Sequence, residues 1–336
     1  MEKVLDRFPK RFIEDPEYAF ALGRIRCLEV HILEHSDYDK MAKGDINDVL
    51  KVLTESDFSI DVNLLLKEET FEKVIDIHKR NIFKLMDELI YDERVRSFLR
   101  VENDFYNAKI LLLEKIFETH IQELSGFGNI KPEVMKSIFA EEKYNLLPKE
   151  IMDAVQEGIR IYYEKKEKRY IDFVFDKSYL NYVSSSSYPP FLQDYFRMFS
   201  DIHNLITLIR IKYFEEDKNI IDYVFSDNGF IPFELLKNLY FVKLEEIPKE
   251  MIRWIYWKPL DEGTKYLKEK KSFVKLENLL NKLLFDYLET TKYQSLGPEP
   301  VIAFILKKLN EIKNVRLTIL GKFYNVKGEE ILERII

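Results

Sequence analysis

The sequence is short of the residues that make turns and of the residue that makes disulfides. Its 336 residues include 10 glycines, 11 prolines and one cysteine, Cys27. All-β folds need turn residues at short intervals, so the low glycine and proline content argues against a sandwich or a barrel. A single cysteine excludes a disulfide scaffold and a four-cysteine zinc site. It also favours a reducing, cytoplasmic compartment.

Basic charge and long apolar runs are also scarce. The 52 Lys and Arg residues are outnumbered by 59 Asp and Glu residues, which gives a net charge of −7; proteins that bind duplex nucleic acid usually present a net basic face. No apolar run approaches the roughly 20 residues that span a bilayer, and residues 1–15 lack the apolar core of a signal peptide. With 46% hydrophobic residues, the chain has enough apolar material to fold. These features predict a soluble cytoplasmic protein with no nucleic-acid partner and no direct insertion into a bilayer.

Apolar residues recur at helical spacing over most of the chain. Residues 69–91 carry one apolar stripe at intervals of three and four, with Lys, Asp and Glu elsewhere. The same pattern recurs in residues 93–118, 148–183, 190–216, 273–290 and 298–320. Proline with acidic residues just after it marks several helix starts, at residues 132, 148, 248 and 298. No stretch alternates convincingly like a strand, and residues 252–257 fit a buried helix equally well. We therefore predict an all-α fold.

A three-residue motif occurs in three copies along the chain. It consists of a basic residue, an acidic residue four positions later and an asparagine three positions beyond that. The copies are Arg100, Asp104 and Asn107; Arg197, Asp201 and Asn204; and Lys307, Glu311 and Asn314. Because positions i and i+4 are neighbours on a helix, each basic residue is predicted to pair with its acid. The asparagine is predicted to hydrogen-bond a neighbouring helix or chain end, and direct contact of these residues with a partner is the alternative.

Two further segments support an internal repeat. Residues 147–152 return as residues 247–252, which is 100 residues later, and Gly128-Asn129-Ile130 returns as Gly229-Phe230-Ile231. A period this long exceeds the roughly 20–50 residues of a solenoid unit. We therefore predict three similar helical lobes, at residues 1–105, 106–203 and 204–336, arranged as a pseudo-threefold funnel.

The residues around the last copy are similar to those of a known family. Residues 297–306 (Gly-Pro-Glu-Pro-Val-Ile-Ala-Phe-Ile-Leu), with residues 310–316 and Gly321-Lys322, closely resemble the C-terminal signature of the C subunit of the archaeal and bacterial V/A-type ATPases, whose homologue in eukaryotic V-ATPases is the d subunit. Residues 18–29 resemble the opening helix of that family. Residues 104–109 and 201–205 match its internal Asp-x-x-Asn-Leu pattern, with Ala108 in place of the usual leucine. The resemblance spans nearly the whole chain.

This resemblance implies a non-catalytic subunit of the rotor, without a cofactor. One end of the funnel would sit on the cytoplasmic loops of the membrane proteolipid ring, and the open end would receive the central stalk. Stalk, adaptor and ring would then turn together during rotary H⁺ or Na⁺ transport. The resemblance also implies one copy per complex, a monomer in isolation and a peripheral location at the cytoplasmic face of the membrane. Besides the repeated motif, the candidate partner contacts are Arg24, Arg26, Lys109 and Arg316.

Two other functions stay open at this point. A stand-alone helical scaffold would bind another protein through the same funnel. The segment His31-Ile32-Leu33-Glu34-His35 matches the H-x-x-E-H motif of inverted zinc metallopeptidases, which needs both imidazoles on one helical face. No second ligand segment is recognisable downstream, and the alternative is a charged, partly exposed helix end. The remaining histidines that stand singly, His78, His120 and His203, are predicted to be packing or surface residues.

Overall fold

The computed structural model describes residues 5–59, 62–119, 123–185, 189–216 and 218–336. Within these ranges every regular element is a helix, which confirms the all-α prediction. The α-helices are α1 (Ala19–Leu28), α2 (His35–Lys43), α3 (Ile46–Thr54), α4 (Val62–Leu65), α5 (Glu68–Leu89), α6 (Glu93–Phe117), α7 (Pro132–Ala140), α8 (Lys149–Lys165), α9 (Arg169–Ser185), α10 (Pro190–Tyr213), α11 (Ile221–Val224), α12 (Phe233–Phe241), α13 (Ile247–Glu250), α14 (Trp257–Lys270), α15 (Val274–Glu289), α16 (Glu299–Phe323) and α17 (Gly328–Leu332). Short 3-10 turns lie at Pro16–Tyr18, Glu29–His31, Tyr144–Leu146, Lys218–Ile220 and Leu244–Glu246.

The chain folds into two compact units whose parts are not consecutive in sequence. Unit 1 contains Asp92–Trp257 together with the described residues up to Pro9, and unit 2 contains Lys10–Tyr91 and Lys258–Ile336. In unit 1 the backbone N–H of Ile255 donates to the carbonyl of Leu5 at 2.9 Å. In unit 2, α16 packs against α5, α1 and α2, so one part of the chain supplies the helix around which the other part folds.

Long helices occupy most of the segments that show the apolar period. α5, α6, α10, α15 and α16 lie where the pattern predicts them. The pattern over residues 148–183 is divided between α8 and α9, because Lys166 takes a left-handed conformation (φ 58°) that ends α8.

Residues 251–256 form successive turns, so the buried helix suggested for residues 252–257 is wrong for most of that segment. The N–H of Trp254 donates to the carbonyl of Met251 at 2.8 Å, which is a three-residue step rather than the four of an α-helix. These turns place the Tyr256 side chain in the core of unit 1, where its hydroxyl donates to Asp201 at 2.8 Å.

Each unit has its own core of aromatic and aliphatic side chains. The largest fully buried side chains include Phe175, Phe191, Phe225 and Tyr256 in unit 1, and Phe58, Phe71, Tyr287 and Phe304 in unit 2. Burying a large apolar side chain contributes about 1.5–3 kcal/mol relative to leaving it exposed. Three of the long helices, α6, α10 and α16, also bury polar residues. Those polar residues include the acids and asparagines of the repeated motif.

The Gly-Pro-Glu part of the C-terminal signature fastens residues 13–15 within unit 2. Gly297 has φ 100°, and a Cβ there would lie 2.0 Å from the carbonyl oxygen of Ile13. The Gly297 N–H donates to the carbonyl of Asp15 at 3.2 Å, and Glu299 Oε1 accepts from the N–H of Ile13 at 2.8 Å. Burial raises the pKa of Glu299. The glycine and the acid of this signature therefore have structural roles.

Candidate interaction site

The acidic residues of the first two copies bind backbone amides of a loop that leads to a short helix. Asp104 accepts hydrogen bonds from the N–H groups of residues 129–130, at 3.0 and 2.9 Å. Asp201 accepts from residues 230–231 in the same way, at 3.0 Å each. Both carboxylates are buried in unit 1. Because each such bond contributes a net 0.5–1.5 kcal/mol or so, the aspartates anchor these loops to α6 and α10.

The glycines of the sequence repeat make room for these carboxylates. A Cβ added to Gly128 would lie 2.2 Å from Asp104 Oδ1, and a Cβ added to Gly229 would lie 2.0 Å from Asp201 Oδ1. Carbon and oxygen atoms that are not bonded cannot approach so closely. The repeated glycine and the repeated aspartate are therefore two halves of one close contact.

Each asparagine of the first two copies exchanges two hydrogen bonds with the backbone of one serine. Asn107 Nδ2 donates to the Ser125 carbonyl at 2.8 Å, and its Oδ1 accepts from the Ser125 N–H at 2.7 Å. Asn204 makes the same pair of bonds with Ser226, both at 2.9 Å. In each of these two copies the asparagine therefore binds loop backbone, at Ser125 or Ser226.

The third copy, in unit 2, uses its acid and its asparagine on segments from both parts of that unit. Glu311 Oε1 accepts from the N–H of Leu33 at 2.7 Å. Asn314 Nδ2 donates to the carbonyl of Ile336 at 2.7 Å. The acid again binds a backbone amide and the asparagine again binds a backbone group, here from the last described residue.

A short helix follows the anchored loop in every copy. The helix begins two residues after the last anchored amide, with α7 after residue 130, α12 after residue 231 and α2 after residue 33. Each of these helices has 9 residues. The third copy therefore combines α16 with α2, which comes from the other part of unit 2.

A lysine eight positions after each asparagine caps the short helix. Lys115 Nζ lies 3.3 Å from a carbonyl in the last turn of α7, and Lys322 Nζ lies 2.5 and 2.7 Å from carbonyls at the end of α2. Lys212 Nζ contacts a carbonyl in the last turn of α12. A cation is stabilised at a helix C-terminus, where carbonyl groups lack partners within the helix.

The lysines were missed by sequence reasoning, although their constant distance from the asparagine was a usable signal. Each copy therefore contains an acidic residue, an asparagine three positions later and a lysine eight positions after the asparagine. These three residues are called motifs 1 to 3 from here on. Motif 1 is Asp104, Asn107 and Lys115; motif 2 is Asp201, Asn204 and Lys212; motif 3 is Glu311, Asn314 and Lys322.

The basic residues that open the three triplets do not play one common role. Arg197 donates to the Gly229 carbonyl at 2.9 Å and stacks on the Phe230 ring at 4.0 Å. Lys307 pairs with Glu289 at 2.6 Å. Arg100 lies half-buried on α6.

The pair predicted between Lys307 and Glu311 is wrong, because a nearer lysine takes the acid. Lys308 and Glu311 are both nearly fully buried and in contact, and Lys308 Nζ also lies 2.8 Å from Asp57. Burial raises the pKa of Glu311, and the Lys308 ammonium opposes that rise. The ammonium is thus held between two carboxylates within unit 2.

The four other candidate contacts form ion pairs within their own units. The pairs are Arg24–Glu88 at 2.9 Å, Arg26–Glu29 at 2.7 Å, Lys109–Asp176 at 3.3 Å and Arg316–Glu72 at 2.6 Å. Arg24 and Arg316 keep 42% and 48% of their side chains exposed, which leaves them accessible to a partner. Arg26 also donates to the backbone carbonyl of Gln294 at 3.2 Å, so it ties α1 to the turn before α16.

One copy of the motif borders a cavity. A groove of about 740 Å³ in unit 2 is lined by Lys307, Glu311 and Asn314 of the third triplet. Its other walls come from residues 32–38, from α14 and α15, and from residues 333–336. The structure therefore places Lys307, Glu311 and Asn314 beside an open groove. In the first two copies, loop backbone binds the amide groups of Asn107 and Asn204 instead.

The H-x-x-E-H segment does not form the helical metal site that its spacing suggests. His31 ends a 3-10 turn, Glu34 is the N-cap of α2 and His35 is the first residue of that helix. The side chain of Glu34 takes part in a capping box with Asp37. The expectation that both imidazoles lie on one helical face is therefore wrong. Among the described residues, no group of three or more His, Cys, Asp or Glu side chains is placed to hold a metal ion.

The other histidines differ in their surroundings. His78 is buried against the ring of Phe58, 4.3 Å between centroids. His203 is half-buried in unit 1, and burial lowers the pKa of its imidazole. The prediction for His120 lies outside the described residues.

The molecule is thus a helical protein built on one repeated way of fastening a loop and a short helix to a long helix. None of its described helices is both long enough and apolar enough to cross a bilayer. Its class is that of the subunits of V/A-type ATP synthases, as comparison with known proteins shows. A family model described as "ATP synthase (C/AC39) subunit" matches residues 21–334, and the chain belongs to this family.

Several characterised proteins are similar over almost their full length. The C subunit of the V-type sodium ATPase of Enterococcus hirae is 23% identical, with 92% of this chain and 95% of the relative covered. The C subunit of the A-type ATP synthase of Methanococcoides burtonii is 22% identical, with coverage of 95% and 94%. The corresponding protein of Methanocaldococcus jannaschii is 25% identical, with coverage of 97% and 88%. The family resemblance of the sequence is confirmed.

Proposed function

We propose that the chain is a non-catalytic central-stalk (rotor) subunit that couples the central stalk of a V/A-type ATPase to the proteolipid ring. The family match over residues 21–334 carries this proposal. The chain would act as a socket for the stalk during rotary H⁺ or Na⁺ transport, peripheral at the cytoplasmic face of the membrane. One copy would serve each complex, and the isolated chain would be a monomer without a cofactor.

The construction of the two units supports a role in transmitting torque. A coupling element must resist twisting, and helices packed at close to crystal density have low compressibility. Motifs 1–3 add to this stiffness, because each fixes a loop and a short helix on a long helix through buried, satisfied polar groups. The asparagine of each motif adds a further bond to backbone.

Because similar contacts occur in three copies, the motifs support the proposal of three similar lobes around a pseudo-threefold funnel. The proposed boundaries after residues 105 and 203 fall inside motifs 1 and 2. In motifs 1 and 2 the aspartate binds the same loop amides and the asparagine binds the same serine backbone groups. Motif 3 joins α16 of the last lobe to α2 of the first.

The uses of the acidic residues support a role without chemistry. Asp104, Asp201 and Glu311 are all committed to backbone amides. A general acid or base must instead be free to exchange a proton with a substrate.

Recovery of the whole ATPase with the tagged chain tests the proposal. The tagged chain is purified from gently solubilised native membranes, and the eluate is examined by mass spectrometry and by an ATPase assay. We expect large catalytic subunits, a stalk and a small proteolipid, with ATPase activity. An eluate that contains only unrelated soluble proteins contradicts the proposal.

A reconstitution experiment separates coupling from catalysis. Complexes assembled without the chain are expected to hydrolyse ATP in the soluble sector but not to drive ion transport. Adding the chain back should restore transport. Ion transport at normal levels without the chain would contradict a coupling role.

A further inference from the structure

Glu299, the first residue of α16, carries a buried oxygen atom that has no hydrogen-bond partner. The residue is fully buried in unit 2. Its Oε1 atom accepts from the N–H of Ile13 at 2.8 Å. The second carboxyl oxygen, Oε2, makes no hydrogen bond with any described group. Nearly all buried polar atoms in folded proteins have a partner, so the position of this oxygen needs an explanation.

The carbonyl oxygen of Ile13 lies beside this unpartnered atom. A Cβ added to Gly297 would lie 2.0 Å from the Ile13 carbonyl oxygen and 2.6 Å from Glu299 Oε2. The two oxygens therefore border the same small space, which the glycine leaves open. A peptide carbonyl and an ionised carboxylate both accept hydrogen bonds and cannot donate one. A proton on Oε2 is what allows these two oxygens to bind each other.

The surroundings of Glu299 disfavour a negative charge. Burial raises the pKa of its carboxyl group, the N–H groups of Ile13 and of Glu299 itself lower it, and the negative charge of Asp15 raises it again. No cation of the described residues is among these influences. A buried carboxyl group without a cation beside it favours its neutral form, because burial removes the water that stabilises the charge.

The asparagines of motifs 1 and 2 already show the arrangement that a protonated Glu299 completes. Asn107 accepts from the N–H of Ser125 at 2.7 Å and donates to the carbonyl of the same residue at 2.8 Å. Glu299 accepts from the N–H of Ile13 in the same way. A hydroxyl group at Oε2 takes the part of the asparagine amide nitrogen, since both are donors placed next to a carbonyl oxygen.

We propose that Glu299 keeps a proton on Oε2 in the folded chain and clasps the backbone of Ile13 through two hydrogen bonds. The Ile13 N–H donates to Oε1, and the Oε2 hydroxyl donates to the Ile13 carbonyl. As the pH rises, the proton is lost to solvent, the second bond disappears and residues 13–15 are released from α16. The clasp is thus a pH-sensitive device near the start of unit 2, which begins at Lys10. It does not depend on the proposed rotor function.

Amide hydrogen exchange in the full chain, followed by NMR, tests the clasp. The variant Glu299→Gln offers the same acceptor and a permanent donor at every pH. Because the pKa of Glu299 is raised above its ordinary 4.5, the Ile13 amide should be similarly protected in wild type and variant below that pH. As the pH rises through the raised pKa, protection in the wild type should fall relative to the variant by up to about tenfold per pH unit. Comparison at the same pH cancels the intrinsic pH dependence of exchange.

Two further variants serve as controls for the exchange experiment. Glu14→Gln neutralises an exposed acid on the same segment and should leave the pH dependence of the wild type unchanged. Asp15→Asn removes the neighbouring negative charge and should move the loss of protection to lower pH. A ratio of wild type to Glu299→Gln that does not change with pH overturns the proposal. An unshifted profile in Asp15→Asn also contradicts it, and this comparison does not require Glu299→Gln to fold.

Infrared spectroscopy detects the proton directly. At a pH where exposed glutamates are ionised, the difference between wild type and Glu299→Gln should contain the carbonyl-stretch band of one protonated carboxyl group. The band should disappear as the pH is raised. A thermal melt checks that the variant is folded. A difference spectrum without this band shows that Glu299 is ionised and overturns the proposal.

Discussion

The distance between the acidic side chain and the loop that it binds determines whether the loop must contain glycine. Asp104 and Asp201 have short side chains, and their loops approach so closely that only Gly128 and Gly229 fit beside them. In motif 3 the longer Glu311 reaches the N–H of Leu33, and His31 stands where the glycine would be. The change from aspartate to glutamate is therefore matched by a loop that carries a side chain.

Substitution of Gly229 by alanine should destabilise unit 1. The added Cβ would meet Asp201 Oδ1 at 2.0 Å, which forces the loop off the carboxylate. Overpacking and lost hydrogen bonds together predict a fall of about 1–3 kcal/mol in the free energy of unfolding. Gly126→Ala is the matched control, because nothing lies within 4 Å of the Cβ that it adds. Equal urea-unfolding midpoints for the two variants would contradict the close contact.

Asp201 predicts a specific dependence of stability on pH. Burial raises its pKa to about 7, from an ordinary 3.8, although the N–H groups of residues 230–231 and the Tyr256 hydroxyl act in the opposite direction. The folded chain therefore binds this proton more tightly than the unfolded chain does. The resulting stabilisation is complete below about pH 4 and is lost as the pH rises toward 7.

The measurement compares the wild type with Asp201→Asn in urea at several pH values. Between pH 4 and 7, the free energy of unfolding of the wild type should fall relative to the variant, by up to about 1.4 kcal/mol per pH unit. A constant difference across that range would show that the pKa of Asp201 is not raised.

Single residues were predicted well where one partner type was available and poorly where partners compete. A mid-helix asparagine has little use except as a hydrogen-bonding group, and Asn107, Asn204 and Asn314 do bind backbone. The i, i+4 spacing predicted an ion pair between Lys307 and Glu311, but spacing alone does not show which lysine is buried. Lys308 lies on the buried side of α16 and takes the acid instead.

Among the elements, the short helices depend on lysines from the long ones. Lys322 caps α2, and desolvation lowers the pKa of its ammonium, as it does for Lys212 at α12. An ammonium bound to carbonyl groups at a helix end compensates for those groups' missing partners.

Lys322→Met should weaken unit 2 by removing the cap while keeping a long apolar stem. We expect a loss of about 1–3 kcal/mol in the free energy of unfolding. Lys327→Met, at an exposed lysine five residues later, is the control and should change little. Hydrogen exchange of α2 is the sharper readout, since the cap acts on that helix. Unchanged protection of α2 in Lys322→Met would contradict the capping role.

Helix positions followed from the sequence because apolar periodicity reports burial directly. The interruptions did not follow, since the break at Lys166 depends on one left-handed residue and the turns at residues 251–256 serve the contact of Tyr256 with Asp201. The H-x-x-E-H segment failed as a helical motif for a related reason. Glu34 caps α2, so the helix starts inside the motif.

For the whole molecule, the exposed arginine pairs are the places at which coupling to a partner can be probed. Charge reversal at Arg24, Arg26, Lys109 and Arg316 together is expected to weaken coupling while ATP hydrolysis by the soluble sector persists. Exposed ion pairs contribute only about 0–1 kcal/mol each, so the fold should largely survive at the exposed positions. Ions transported per ATP hydrolysed is the quantity to measure. Wild-type transport and hydrolysis in the variant would place these residues away from any partner.

A charge swap separates partner contact from intrachain pairing. Arg316→Glu combined with Glu72→Arg restores the pair of unit 2 with its signs exchanged. If a partner subunit binds the Arg316 side chain, the double variant should still transport fewer ions per ATP hydrolysed than the wild type. Full recovery of coupling by the swap would assign the arginine to the intrachain pair alone.

The division into units was beyond the reach of sequence patterns. Periodicity and repeats describe neighbours along the chain, whereas unit 2 pairs Lys10–Tyr91 with Lys258–Ile336. The repeat did show that three copies exist, because each keeps its own acid and asparagine. It did not show that the loop and short helix of motif 3 come from the opposite part of the chain, since those residues diverge from Gly128 and Gly229.

The joining of α2 to α16 also sets a timetable for biosynthesis. Lys322 follows the Ala42 carbonyl that it caps by 280 residues, so a ribosome that adds roughly 5–20 residues per second needs on the order of 15–60 s to supply the cap. All of Asp92–Trp257 emerges in that interval and can close its own core. During that time residues 10–91 are already synthesised but lack α16, the helix against which they pack in the finished unit. Unit 2 is therefore the unit that is completed last, and a chaperone has its longest opportunity to bind residues 10–91.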